Sequence, residues 1–393
     1  MPSKEKNPIP EEVSVVGKNK TIMIVAGEAS GDMHGASLVR EMLKIDPALN
    51  FYGIGGNKLQ EAGVKLLANA STMAVVGLTE VISKLRSILK IMNMMKKSLD
   101  KYRPELVILI DYPDFNLPLA KAAKKRGIKI FYYISPQVWA WRKSRINKIK
   151  RLVDKMAVIL PFEVDTYAAK GFVVDYVGHP LLDLVKPSYS QQESRKMFNL
   201  DESKTTIGLL PGSRQSEVIK LLPEMLRAAE ILAQKIQNLQ FILPLADTLE
   251  EKTVGDIVSG FTIKVKVISG QTYDAVSCCD LAIVASGTAT LETALLGVPM
   301  IIIYKISPLS YFIGKLVVNV KNIGLANIIA GKTVVPELIQ GKANAQSIAA
   351  EAVAILTSVE RKKEMMNELA EIRAKLGKPG AAIRAAQLVL DML

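Results

Sequence analysis

A chain of 393 residues is too long for one ordinary domain, and 49% hydrophobic with 23% charged residues supplies enough apolar material for two cores. Its 51 Lys and Arg against 38 Asp and Glu leave a net charge of +13, which favours anionic partners: phosphorylated ligands, an anionic membrane surface or nucleic acid. The only cysteines are the adjacent Cys278 and Cys279 and the only histidines are His34 and His179, which excludes a disulfide framework, a CxxC site and a His-rich metal centre.

Residues 1–20 are polar, contain Pro8 and Pro10, and read as a loose tail without a secretory signal. No apolar run reaches the roughly 20 residues that a spanning helix needs, so any membrane contact is expected from the side. Thr21–Ala26 (TIMIVA) is the first predicted strand. Leu106–Ile110, Lys129–Tyr133, Lys155–Leu160 and Val173–Val177 follow, with helical stretches such as Ser37–Lys44 and Leu117–Arg126 between them. Continuous apolar strands alternating with helices predict an α/β chain with a parallel sheet covered on both faces.

Within this half, Val76–Leu99 has helical spacing. Leu85, Ile88, Leu89, Met92, Met95 and Leu99 form one stripe, and Arg86, Lys90, Asn93 and Lys97 another. That suits a helix pressed on anionic lipid, although a core-facing amphipathic helix is the plainer reading. Polar Pro187–Ser203 reads as a linker, after which the pattern restarts. Thr205–Leu210, Leu239–Leu243, Ile263–Ile268, Leu281–Val284 and Met300–Tyr304 are strands, with a helix from about Glu217 to Ile236. The tail is helical over Ala349–Leu356 and Lys362–Leu376, breaks at Gly377–Gly380, and resumes over Ala381–Leu393. Two α/β halves, each opening with strand, Gly-containing turn and helix, are the expected architecture.

Chemistry is expected where strands end, since parallel sheets bind ligands at their C-terminal edge. Gly27–Asp32 (GEASGD) follows the first strand. It offers a helix start for an anion, with Ser30 or Asp32 as a simple N-cap in the plainer reading. A Glu28 buried at a strand end is costly without a purpose. Asp111–Asn116 (DYPDFN) places two carboxylates past the strand run LVILI. Asp114 has a ready explanation as an N-cap and Asp111 has none, so Asp111 is the favoured general base, with metal binding by the pair as the alternative.

Ser135–Arg142 (SPQVWAWR) carries both tryptophans, Trp139 and Trp141, beside basic residues. It suits a wall against a sugar, a base or acyl chains, or else a core corner. Pro211–Arg214 (PGSR) exposes backbone donors at Gly212 and Ser213, with Arg214 able to pair a phosphate. In Ala285–Glu292 (ASGTATLE), Ser286, Gly287, Thr288, Ala289 and Thr290 lead into a helix, and Glu292 lies one turn in. With a second Gly-turn in the same half, a nucleotide diphosphate site is favoured over plain capping by Ser286 or Thr288. No GxxxxGK[ST] occurs. His179 in Val177–Pro180 (VGHP) reads as a satisfied histidine near the domain join.

These motifs in this order, together with Gly53–Gly56 (GIGG) and Val334–Gln340 (VVPELIQ), resemble the lipid-A-disaccharide synthase family of glycosyltransferases. The resemblance implies the GT-B fold, two doubly wound Rossmann-like domains facing across a cleft, with the C-terminal helix returning to the first. The corresponding division is a tail over 1–20, an acceptor-side domain with a membrane-facing helix over 21–187, a UDP-sugar domain over 188–365 and returning helices over 366–393. It implies UDP-2,3-diacylglucosamine as donor, 2,3-diacylglucosamine 1-phosphate as acceptor, and a β-1,6-linked disaccharide 1-phosphate plus UDP as products. By this match Asp111 is the base, Glu28 and Arg214 are essential, and Asn327 joins Gly212, Ser213, Ser286–Thr290 and Glu292 around the donor. Ser30, Trp139, Trp141, Leu85, Leu89 and Met92 would line the acceptor or its acyl chains.

The resemblance implies no cofactor or metal, no nucleic acid, a cytoplasmic protein peripheral on the inner membrane, and compatibility with a homodimer. One departure is Ala326, where the family usually carries proline between Leu325 and Asn327. The competing readings are another UDP-sugar enzyme of the same fold, such as an epimerase or a peptidoglycan-type transferase, which should lack SPQVWAWR, and a nucleotide- or RNA-binding protein, against which the basic residues are dispersed.

Overall fold

The computed structural model describes residues 20–70, 78–139, 144–246, 248–306 and 322–393, with backbone only over 78–84. The chain divides into two compact units. One comprises Met1–Tyr133, Ile149–Met156 and Ala385–Leu393, and the other Ile134–Lys148 and Ala157–Arg384.

Strands and helices alternate from the start: β1 (Thr21–Ala26), α1 (Ala29–Ile45), β2 (Asn50–Gly55), α2 (Asn57–Glu61), β3 (Lys65–Asn69), α3 (Leu78–Tyr102), β4 (Leu106–Ile110), α4 (Pro113–Lys124) and β5 (Lys129–Tyr133). Next come α5 (Arg145–Leu152), β6 (Lys155–Val158), α6 (Pro161–Ala168), β7 (Asp175–Tyr176) and α7 (Leu181–Leu184). The sheet order is β3-β2-β1-β4-β5-β6-β7. β1 pairs in parallel with both β2 and β4, so the winding direction reverses between β1 and β4. Side chains of β1 from Ile22 to Ala26 and all of β4 are fully buried, which is why both read as unbroken apolar runs.

The other sheet is built from β8 (Thr205–Leu210), β9 (Leu239–Leu245), β10 (Val265–Ser269), β11 (Leu281–Ala285), β12 (Met300–Tyr304) and β13 (Glu337–Ile339). Between and around them lie α8 (Gln191–Met197), α9 (Gln215–Lys235), α10 (Glu251–Val258), α11 (Thr272–Ser277), α12 (Thr288–Leu295), α13 (Leu325–Ala330), a 3₁₀ turn at Gln340–Lys342, α14 (Ala345–Leu356), α15 (Val359–Lys375) and α16 (Ala381–Leu390). Its order is β10-β9-β8-β11-β12-β13, and the winding reverses between β8 and β11.

The expected linker 187–203 contains helix α8. Ser190 accepts from the Glu193 amide, and the Glu193 carboxylate accepts in return from the Ser190 amide, so a capping box starts it. Asp274 accepts from the Ser188 and Tyr189 amides at 2.6 and 3.0 Å and ties the preceding residues down. The VGHP segment is also explained. Asp183 accepts from the amides of Gly380 and Ala381, and the Arg384 guanidinium donates to the Val177 carbonyl at 2.8 Å. Gly178, at φ +80°, leaves the space that the guanidinium fills, since a Cβ there would lie 2.7 Å from it.

Candidate active site

The reversal between β1 and β4 brings GEASGD and DYPDFN together, as doubly wound sheets do where their strand order turns. Gly27 is glycine because the Tyr112 ring lies over it: a Cβ would sit 2.4 Å from that ring. Glu28 is the N-cap residue of α1, so Ser30 and Asp32 lie inside the helix and neither is its cap. Asp32 instead reaches sideways. Its buried carboxylate accepts from the amides of Gly56 (2.6 Å), Lys58 (3.0 Å) and Leu59 (3.1 Å), capping α2. A Cβ at Gly56 would stand 2.7 Å from that carboxylate, which accounts for the last glycine of GIGG.

Asp111 follows the last residue of β4. Tyr112, not Asp114, is the N-cap residue of α4, because Pro113 takes the first helical position and leaves Asp114 exposed in the first turn. Asp111 and Tyr112 both have φ +42°, a conformation that residues with side chains seldom adopt. Asp111 is half-buried, and burial, then the nearby Glu28 carboxylate, raise its pKa from the ordinary 3.8 to about 7, with the Tyr112 amide pulling the other way. A carboxyl that releases its proton near neutrality is matched to general-base work. Among the described residues, no group of three or more His, Cys, Asp or Glu side chains is arranged to hold a metal ion.

The SPQVW loop lies in the other unit. The Ser135 hydroxyl is 2.7 Å from that of Tyr167, and Trp139 stands edge-on to Phe162 at 5.2 Å. Beneath them is Glu163, 1% exposed, which accepts from the Leu160 amide at 3.1 Å. Burial pushes its carboxyl up to about 7, and bonds from Leu160 and Ser135 oppose that. Glu163 was not among the sequence candidates, although proline at the first helical position and glutamate at the third is a helix-start signature. Trp141 lies outside the described residues.

In the second sheet, β8 and β11 deliver PGSR and SGTATLE side by side. Gly212, at φ +110°, lies against Glu217, whose carboxylate a Cβ would meet at 2.4 Å. Arg214 is half exposed and pairs with Glu217 at 2.9 Å, and the Thr248 hydroxyl bonds the Ser213 carbonyl at 2.6 Å. Gly287 is the N-cap residue of α12, so neither Ser286 nor Thr288 caps it. The buried Thr290 hydroxyl donates back to the Gly287 carbonyl at 2.8 Å, while Ser286, Thr288 and Ala289 stay half-buried at the helix mouth. Glu292 accepts from the Tyr273 hydroxyl at 3.1 Å, and burial raises its pKa. Tyr273, in the first turn of α11, is a further polar residue that the sequence reading did not single out.

Asn327 is turned inward. Its amide nitrogen donates to the Val335 carbonyl and to Glu337, each at 2.8 Å, and its oxygen accepts from the amides of Val334 and Val335 at 2.7 and 3.0 Å. Its amide group thus closes its own loop. The α3 stripe also divides. Leu85 and Leu89 are 47% and 54% exposed beside exposed Arg86 and Lys90, whereas Met92, Met95 and Leu99 are buried. Met92 therefore belongs to the core, because the C-terminal half of α3 packs against α4. Among the described residues no helix is long and apolar enough to cross a membrane.

The family model for lipid-A-disaccharide synthetase matches residues 22–390. A lipid-A-disaccharide synthase from Syntrophus aciditrophicus is 59% identical over 376 residues, covering 95% of this chain and 98% of that relative. Among solved structures, the S. aureus MnaA–UDP co-structure aligns with a TM-score of 0.64 at 14% identity, over 95% of this chain and 98% of the other. The glycotransferase of kitacinnamycin aligns at 0.62 and 13%, over 96% and 100%. At such identities these likenesses bear on the fold alone, which is α/β of the GT-B type.

Proposed function

This chain belongs to the lipid-A-disaccharide synthase family of glycosyltransferases, and we propose that it joins UDP-2,3-diacylglucosamine to 2,3-diacylglucosamine 1-phosphate in a single inverting displacement. The observation that carries the chemistry is the Asp111 carboxyl, lifted to about 7 beside Glu28 where the first sheet changes winding direction. The acceptor 6-hydroxyl gives its proton to Asp111 as its oxygen attacks the anomeric carbon. The bond from that carbon to the UDP oxygen breaks, and inversion turns the α-linked donor into a β-linked product.

The departing diphosphate gains negative charge. Arg214 and the amide-lined mouth of α12 at Ser286–Ala289 are the groups suited to receive it, with Gly212 and Ser213 bringing backbone close. Glu292, held by Tyr273, is suited to the ribose hydroxyls. No cofactor enters this scheme. Leu85 and Leu89 with Arg86 and Lys90 form an exposed apolar and basic face on α3, which supports peripheral attachment to the anionic inner membrane and access to acyl chains. The test is incubation of the protein with both lipid substrates and separation of radiolabelled disaccharide. Asp111→Ala should abolish product while leaving UDP binding intact, and near-normal turnover in that variant would overturn the base assignment.

A further inference from the structure

The Asp111 carbonyl is an unusual acceptor. The Asn116 amide nitrogen donates to it at 2.7 Å, and the Tyr132 hydroxyl donates to it at 2.5 Å. The same Asn116 nitrogen also donates to the Ile110 carbonyl at 3.1 Å, so it grips both sides of the peptide that ends β4. Asn116 is fully buried on α4, and its side-chain oxygen has no hydrogen-bond partner among the described residues. Leaving a buried amide oxygen unpaired is unfavourable. This site keeps it, together with two consecutive left-handed residues, Asp111 and Tyr112.

Without restraint, both residues would relax toward φ < 0 and turn the Asp111 side chain elsewhere. We infer that Asn116 and Tyr132 are positioning residues for the transfer reaction: they clamp the Asp111 carbonyl and so hold its carboxylate at the sheet edge beside Glu28. The inference rests on Asp111 being the base. Neither residue needs to touch substrate. Tyr132 reaches the carbonyl from β5, the strand next to β4 in the sheet, and Asn116 from the first turns of α4, so the turn is fixed from two elements at once.

The test compares kcat, KM for both lipid substrates, UDP affinity and thermal midpoint in Tyr132→Phe, Asn116→Ala and Asp111→Asn. Tyr132→Phe keeps the ring and removes one clamp bond, so kcat should fall roughly tenfold with KM and UDP affinity little changed; Asn116→Ala should lower kcat about 10²-fold, the scale of a small misplacement of a reacting group. In the Asp111→Asn background, Tyr132→Phe should cost almost nothing further in kcat, because the group being positioned is gone. The inference is overturned if Tyr132→Phe keeps parental kcat, or if its loss is the same with and without Asp111. Should Asn116→Ala fail to fold, Tyr132→Phe alone decides. Failure of the underlying reading gives a different result, namely Asp111→Asn that retains turnover.

Discussion

Asp111→Asn should make the folded chain more stable at alkaline pH even as it lowers turnover to a small residual rate. In the unfolded chain an aspartate titrates near 3.8, and in the fold Asp111 titrates near 7. Between those values the native state holds a proton that the unfolded state has released, so each rise in pH favours unfolding. The penalty is absent below 3.8 and complete above about 7. At ~1.4 kcal/mol per tenfold change in proton affinity, its ceiling is ~4 kcal/mol, which partial access of solvent reduces to ~1–3 kcal/mol. Asparagine removes the charge yet keeps an oxygen for the Tyr112 amide. Urea unfolding of both proteins at pH 5 and pH 8 should show the variant's advantage widening by ~1–2 kcal/mol toward pH 8. An advantage that is constant or shrinks with pH would mean that the carboxylate is well solvated, and the case for a neutral-range base would fall with it.

Three further outcomes follow from the same geometry. Glu28→Gln removes the charge repulsion but not the burial, so the acidic limb of residual kcat/KM should move toward lower pH yet stay above 3.8, and an unmoved limb would detach Glu28 from Asp111. Gly27→Ala forces a Cβ to 2.4 Å from the Tyr112 ring and should cost ~1–3 kcal/mol of stability along with turnover. Gly31→Ala, whose nearest contact is 3.4 Å, is the control and should cost clearly less in the same urea titration. Asn327→Ala leaves the amides of Val334 and Val335 and the Val335 carbonyl without their Asn327 bonds, while Glu337 keeps the amides of Ile323 and Gly324, so a stability loss of ~2–4 kcal/mol is expected with little specific change in donor KM. Lost donor affinity at undiminished stability would return Asn327 to the pocket.

The buried strands were legible because nothing else in a chain looks like LVILI or TIMIVA between a turn and a helix. β2 and β3 were not. NFYGIG carries two glycines, one of them at φ +157° beneath the Ile24 carbonyl, and KLLAN is a short, half-exposed edge strand without the β-branched run that marks a central one. α8 had a readable start in its Ser190–Glu193 capping box, hidden by the polar stretch around it. At the site, Glu28, Asp111 and Arg214 stand out as charged residues just past strand ends. Tyr132 and Tyr273 do not, because their partners Asp111 and Glu292 are brought near only by the folded chain. The alternative readings of Asp32, Asp114, Ser286 and Thr288 as caps lie one to four residues from the N-cap positions, because helix starts here follow the strand-end backbone rather than the nearest capping side chain.

The first unit contains Ala385–Leu393, and within it Lys129 on β5 donates to the Met392 carbonyl. Ala385, Ala386 and Val389 are fully buried. During synthesis, residues through Tyr133 leave the ribosome some 250 residues before that last segment exists, a wait of roughly 10–50 s at ordinary elongation rates. Throughout that interval the apolar surface awaiting those side chains stays open, a natural target for a holding chaperone. A nonsense codon just after Arg384 would therefore leave its damage at the beginning of the protein rather than at its end.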